Sequence, residues 1–347
     1  MKTQISTFIL VLLTGLSFSA HAKVWRINNN AGVNADFTSA NAAVISTTVQ
    51  SGDTLYFEAS ATDYGGITIS KKLVLIGTGY FLDSTNNPGL QYNPNAAVIN
   101  GVVLDSAGTG STFTGLTLNF LIGPGAGGSS VDNLTITRCR VTGIGNYYGY
   151  TPGTILSGWK VNKNYITGSF GDGAWVMQNW DVSNNIIDTW INMENTACSG
   201  NVIRNNVFRG AIHIVNGYFA NNLLSGWNDY VFTNTVVKNT LSVGTPSTFT
   251  AYVGSNNNSY GYTDAQLFAG TGSTDGKWKL AATSPAKQAG LTVGSVVKPD
   301  CGAFGGPDPY ILSGIPNIPA IYKLTVPASI ASGTSSMNIT FSTRSNP

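Results

Sequence analysis

Ionisable side chains are scarce in this chain: Asp, Glu, Lys and Arg make up 10% of its 347 residues, and histidine occurs twice. The 18 basic and 16 acidic residues leave a formal net charge of +2. A near-neutral chain without a clustered basic face excludes nucleic acid as a partner, because a phosphate backbone is held by concentrated positive charge. Long apolar runs are equally lacking: beyond the first 22 residues no stretch of about 18 apolar residues occurs, so no membrane span is expected. Cysteine is reduced to Cys139, Cys198 and Cys301, an odd set that cannot form a complete disulfide framework. The acidic residues are scattered, with no dense cluster of the kind that holds calcium. No cofactor is identified, and calcium is left open.

The exception to the shortage of apolar runs is the N-terminus. Lys2, the apolar run from Phe8 to Phe18 and the small-residue triplet Ala20-His21-Ala22 form an export leader over residues 1–22. A mature chain starting at Lys23 is expected, soluble, monomeric and delivered to the periplasm, the cell surface or the medium.

What the chain does have is 41 glycines and 35 asparagines, the composition of many short strands joined by tight turns. A repeat organises them. The segments around Cys139, Asn164, Asn185, Asn206, Asn222 and Asn239 align at intervals of 25, 21, 21, 16 and 17 residues, which marks a solenoid. Three positions before that column stand Ile136, Val161, Val182, Ile203, Phe219 and Val236; two after it stand Val141, Ile166, Ile187, Phe208, Leu224 and Leu241. Apolar residues on both sides of a polar pair describe two short strands meeting at a bend and sharing one interior. Asn suits the bend because its short amide tolerates left-handed backbone, and stacked amides can hydrogen-bond from one coil to the next. In this register Cys139 and Cys198 lie two to three coils apart, roughly 10–14 Å at the strand spacing, so buried free thiols are expected.

Weaker coils precede these, and residues 38–49 read as a short helix capped by Thr38 that covers the open N-terminal end. From Pro307 the composition turns to Pro309, Pro316, Pro319 and Pro327, followed by an alternating Met337-Asn-Ile-Thr-Phe-Ser342. Residues 307–347 are expected to form a C-terminal extended tail rather than a domain.

The run Ser51-Gly-Asp-Thr-Leu-Tyr-Phe57, then Tyr64-Gly-Gly-Ile-Thr-Ile-Ser-Lys-Lys-Leu-Val-Leu-Ile-Gly-Thr-Gly79, resembles the opening of the pectin-lyase-like superfamily. Leu280-Ala-Ala-Thr-Ser-Pro-Ala-Lys-Gln-Ala-Gly290 and Asp300-Cys-Gly-Ala-Phe-Gly-Gly306 resemble its closing coil. The resemblance implies an all-β right-handed parallel β-helix over residues 23–306. It leaves activity open, since that superfamily includes lyases, hydrolases, esterases and adhesins. The hydrolase signature is incomplete here: Asn-Thr-Asp, Asp-Asp, Gly-His-Gly and Arg-Ile-Lys are all missing.

Superfamily members that cut polysaccharides work in an exterior groove, so ionisable residues of shared phase are the candidates. Asp172 is eight after Asn164, Glu194 nine after Asn185 and His213 seven after Asn206. Carboxylates beside an imidazole could supply acid and base for glycoside cleavage or elimination, which makes Asp172, Glu194 and His213 the expected catalytic group. The competing reading makes Asp172 a turn residue, Glu194 solvated and His213 a strand packer. Lys160 and Arg209 are candidates for binding substrate carboxylates, although Arg209 is also in phase to pair with Asp188. Tyr147, Tyr148, Tyr150 and Trp175 are candidate sugar platforms, since aromatic faces stack on sugar rings, or else parts of the core. A polysaccharide partner is therefore expected, an acidic one if it is cleaved by elimination or hydrolysis, or else merely bound; the alternative is a non-catalytic surface or adhesion protein.

Overall fold

The computed structural model describes residues 22–122, 130–145, 153–226, 229–245, 249, 252 and 256–345. The chain is a parallel β-solenoid of about nine turns. A ten-stranded parallel sheet runs from Val24–Ile27 to Val236–Lys238, and a nine-stranded parallel sheet from Val98–Ile99 to Ser259–Tyr262. A third face is built from two shorter parallel sheets, one of which stacks Phe170–Gly171, Ile191–Met193, Ile212–Val215 and Tyr230–Thr233.

Strands of two to four residues suffice because each turn needs only one or two inward side chains per face, and stacking continues them. Ile136, Val161, Val182, Ile203, Phe219 and Val237 lie in one such row by strand register, and all are buried. Val141, Ile166, Ile187, Phe208 and Leu224 form the row on the next face. At roughly 1.5–3 kcal/mol for each fully buried apolar side chain, these rows outweigh the roughly 1 kcal/mol net of a typical hydrogen bond. Trp159 and Trp180 stack inside at 4.5 Å and 10° between planes, and their indole N–H groups donate to Val131 O and Leu156 O.

At the bend the two asparagines of each repeat divide the work. Left-handed backbone is adopted by the first of them, Asn184, Asn205 and Asn221, and by Arg138 and Lys163 in the same place. The second, Asn164, Asn185, Asn206 or Asn222, is wholly buried and forms the amide ladder. The expected register therefore needs one correction. Asn239 has φ 46° and belongs to the left-handed column; Thr240 takes the ladder position, its N–H donating to Asn258 Oδ1 at 3.0 Å. Accordingly Val237 points inward while Val236 is 46% exposed, because a slip of one residue turns every side chain of a strand to the other face.

The N-terminal helix spans Ala40–Ile45, shorter than the sequence suggests, and its cap is Ser39 rather than Thr38, with Ser39 Oγ accepting from Ala42 N–H. Ala40, Ala43 and Val44 bury its apolar side.

The end of the expected β-helix range and the start of the C-terminal extension pack together on the solenoid. Residues 289–316 run back along the left-handed column in reverse order. Asn239 Nδ2 donates to Ala289 O, Asn221 Nδ2 to Leu291 O, Asn205 Nδ2 to Asp300 O, and Asn184 Nδ2 to Ala303 O and Gly305 O. Lys163 then pairs with Asp308, and Arg138 Nη1 donates to Ile315 O. Asp275, wholly buried, pins this strap by accepting from Asn87 Nδ2, Ser273 Oγ, Ser313 N–H and Tyr310 OH. Burial pushes the Tyr310 phenol well above its ordinary range, so it remains a donor. Beyond the strap, Ala320–Thr325 and Thr340–Arg344 pair as an antiparallel hairpin. From residue 307 the tail thus continues the strap along the solenoid and then forms the hairpin.

All three cysteines are free and buried, in line with the coil spacing expected between Cys139 and Cys198. Among the described residues no helix is long and apolar enough to cross a membrane.

Candidate functional site

The four-stranded sheet of the third face carries the candidate site. Its register aligns Gly171 with Asn192, Asn192 with His213, and His213 with Val231. His213 alternates with inward Ile212 and Ile214 and so projects outward. Glu194 lies two residues beyond Asn192 and leans across the coil spacing to place Oε2 3.0 Å from His213 Nδ1. On the opposite side Asp229 Oδ2 stands 3.2 Å from His213 Nε2. Both ring nitrogens of one imidazole are therefore held by carboxylates, and Glu194 and Asp229 are half exposed. Ionised carboxylates offer only acceptors, so an imidazole with a single N–H donates to one of them at a time.

Trp190 supplies the apolar wall. It is 46% exposed and meets the His213 ring edge-on at 5.7 Å between centroids. A groove of about 570 Å³ is lined by Asp188, Trp190, Arg209, Gly210, His213 and Asp229. A second hollow of about 320 Å³, lined by Phe120, Gly171, Asp172, Trp190 and Asn192, meets the first at Trp190. Glycine lets the coils beneath the groove stack closely. A Cβ on Gly210 would come within 2.0 Å of Thr189 O, and one on Gly171, at φ 82°, within 2.2 Å of Asn192 O.

Of the residues expected from the sequence, the structure brings Glu194 and His213 together. Asp172 lines the adjoining hollow, but its Oδ1 accepts from Ala174 N–H at 2.9 Å, a turn contact, and it lies one residue off the His213 column. Arg209 lines the groove yet is already paired, Nη1 to Asp188 Oδ1 at 2.6 Å, with its guanidinium 4.8 Å from the Trp278 ring centroid. Lys160 is exposed but belongs to the ten-stranded sheet, a different face. Trp175 is wholly buried in the core between turns and cannot stack on a sugar. Tyr147, Tyr148 and Tyr150 lie outside the described residues.

Asp229 was not among the expected residues, and its offset from the bend does not place it: the register pairs His213 with Val231, so Asp229 stands two residues before that partner and reaches the ring from there. Trp190 could be told from Trp159, Trp175 and Trp180 only by knowing which bend each one follows. Among the described residues no group of three or more His, Cys, Asp or Glu is placed to hold a metal ion. No protein-family model matches this chain, and no curated protein matches it.

Proposed function

We propose that this is an exported member of the pectin-lyase-like β-helix superfamily that binds polysaccharide in the groove around Trp190. In this reading His213, with Glu194 and Asp229, supplies the proton transfers of glycosidic cleavage. The observation that carries it is the half-exposed Trp190 face beside an imidazole held at both nitrogens by carboxylates, on the floor of one groove. An aromatic face suits the apolar side of a sugar ring, and a carboxylate–imidazole row suits its hydroxyls and a leaving oxygen.

The charge of the groove bears on the substrate. Asp229 lines it, Glu194 adjoins it, Asp172 lines the neighbouring hollow, and Arg209 and Asp188 in its lining neutralise each other. Such a surface repels uronic-acid chains and favours neutral or amine-bearing ones. The deciding assay incubates the protein with neutral, amino-sugar and uronic-acid polysaccharides and measures new reducing ends and new unsaturated ends. New ends that disappear in His213→Asn support cleavage. Retention of a polysaccharide on a gel without new ends supports a second reading, a non-catalytic surface protein. Neither ends nor retention with any chain removes the proposal.

A further inference from the structure

The first strand, Val24–Ile27, is the edge of the ten-stranded sheet, and the residue just before it makes an unusual contact. The main-chain nitrogen of Lys23 donates to Asp53 Oδ1 at 2.8 Å. Asp53 Oδ2 accepts from the Trp25 indole at 2.8 Å and from Gln50 N–H at 2.9 Å. The carboxylate is therefore fully hydrogen-bonded and its residue is 4% exposed, yet among the described residues no Lys, Arg or His side chain forms an ion pair with it. The Lys23 ammonium lies over the face of Trp25, 3.3 Å from the ring centroid, and acts on Asp53 through space without a direct ion pair. A buried carboxylate without a direct ion pair depends on its hydrogen-bond donors, so the charge each donor carries matters.

Ala22 and Lys23 are exposed, and the leader expected from the sequence ends at Ala22. We propose that cleavage between Ala22 and Lys23 completes the Asp53 site. A leader peptidase adds water across this bond: the C–N bond breaks, Ala22 leaves as a carboxylate on the released leader, and the Lys23 nitrogen takes up the protons that make it an α-ammonium. The nitrogen that donates to Asp53 as an amide then donates as a cation, converting a neutral hydrogen bond into a charge-assisted one of roughly twice the strength. The position is selective, because starting the chain one residue earlier or later displaces the ammonium by about 3.3 Å, beyond hydrogen-bonding distance. The processed chain thus holds its first strand more firmly than the precursor does. This inference rests on removal of the leader and not on any ligand of the groove.

The test compares two full-length mature chains, one starting at Lys23 and one with a single Gly before Lys23, which carries the same charge in the wrong place. The Lys23 chain is expected to melt about 2 °C higher or more, and Asp53→Asn in both is expected to abolish the gap. Equal melting of the unsubstituted pair overturns the proposal whether or not the Asp53→Asn chains fold, as does a gap that survives the substitution. Mass spectrometry of the chain recovered after export should give an N-terminus at Lys23; a start elsewhere overturns it as well.

Discussion

Asn185 accepts from Asn164 twice: its Oδ1 takes both the Asn164 backbone N–H at 2.9 Å and Asn164 Nδ2 at 3.1 Å. Its own Nδ2 donates to Val161 O at 2.7 Å and to Asn206 Oδ1 at 3.0 Å. One wholly buried amide therefore joins three consecutive turns. Asn185→Ala leaves the Asn164 N–H without its acceptor in a dry interior, at a cost of about 1–3 kcal/mol, and takes one of the donors from the Val161 carbonyl. A loss of about 3 kcal/mol in urea unfolding is expected; a loss under about 1 kcal/mol would show that the ladder contributes little.

Trp190 and Trp175 should separate cleanly in mutagenesis. Trp190→Ala removes a half-exposed ring, so polysaccharide retention should fall while the melting temperature stays nearly constant. Trp175→Ala empties a core site and should cost about 3–5 kcal/mol of stability. Unchanged retention in Trp190→Ala would detach this side chain from binding.

The acid limb of stability should depend on Asp53. Burial alone would raise its pKa, but the hydrogen bonds from Lys23 N–H, the Trp25 indole and Gln50 N–H prevail and hold it below the usual carboxylate value. A carboxyl depressed in the folded state stabilises above its unfolded pKa of about 3.9 and loses that contribution as pH falls through the folded value. Wild type should therefore lose stability relative to Asp53→Asn as pH drops below about 4, measured by thermal melts. Parallel melting curves for the two proteins across that range would contradict this.

The thiols should be silent in the native protein. Burial pushes Cys139 and Cys301 up to about 12 and raises Cys198 as well. A thiol reagent at pH 8 should modify none of them until denaturant is added, when all three react. Rapid labelling of native protein would indicate that one of these sites opens.

Asp275→Ala should free the strap. Four donors lose their acceptor at once, among them Ser313 N–H and Tyr310 OH. Limited proteolysis is expected to cut this variant near residues 306–316 at protease levels that leave wild type intact. Identical digestion patterns would place the anchor elsewhere.

Most of the solenoid was readable from the sequence because its interior rows repeat one chemistry: Ile136, Val161, Val182, Ile203 and Phe219 each recur at the same offset from the bend. The reading slipped at Asn239 because two adjacent polar residues, Asn239 and Thr240, fit the bend equally well by composition, and only the register with Phe219 and Val237 decides between them. The groove was less legible. Glu194 leans two residues along the chain to meet His213, and Asp229 approaches from the far side of the ring, so side-chain reach rather than shared phase brings them together. Trp175 and Trp190 differ by which side of a bend they face, and no local pattern records that.

A stack of coils that touch only their neighbours melts like a zipper, opening from whichever end is weaker. Here the returning segment links Asn239 to Ala289 at one end and Arg138 to Ile315 five turns away. No coil between them can fray without tearing contacts made by distant chain. Unfolding of that span should accordingly be all-or-none, with one calorimetric transition where an unstrapped array would show a broad succession.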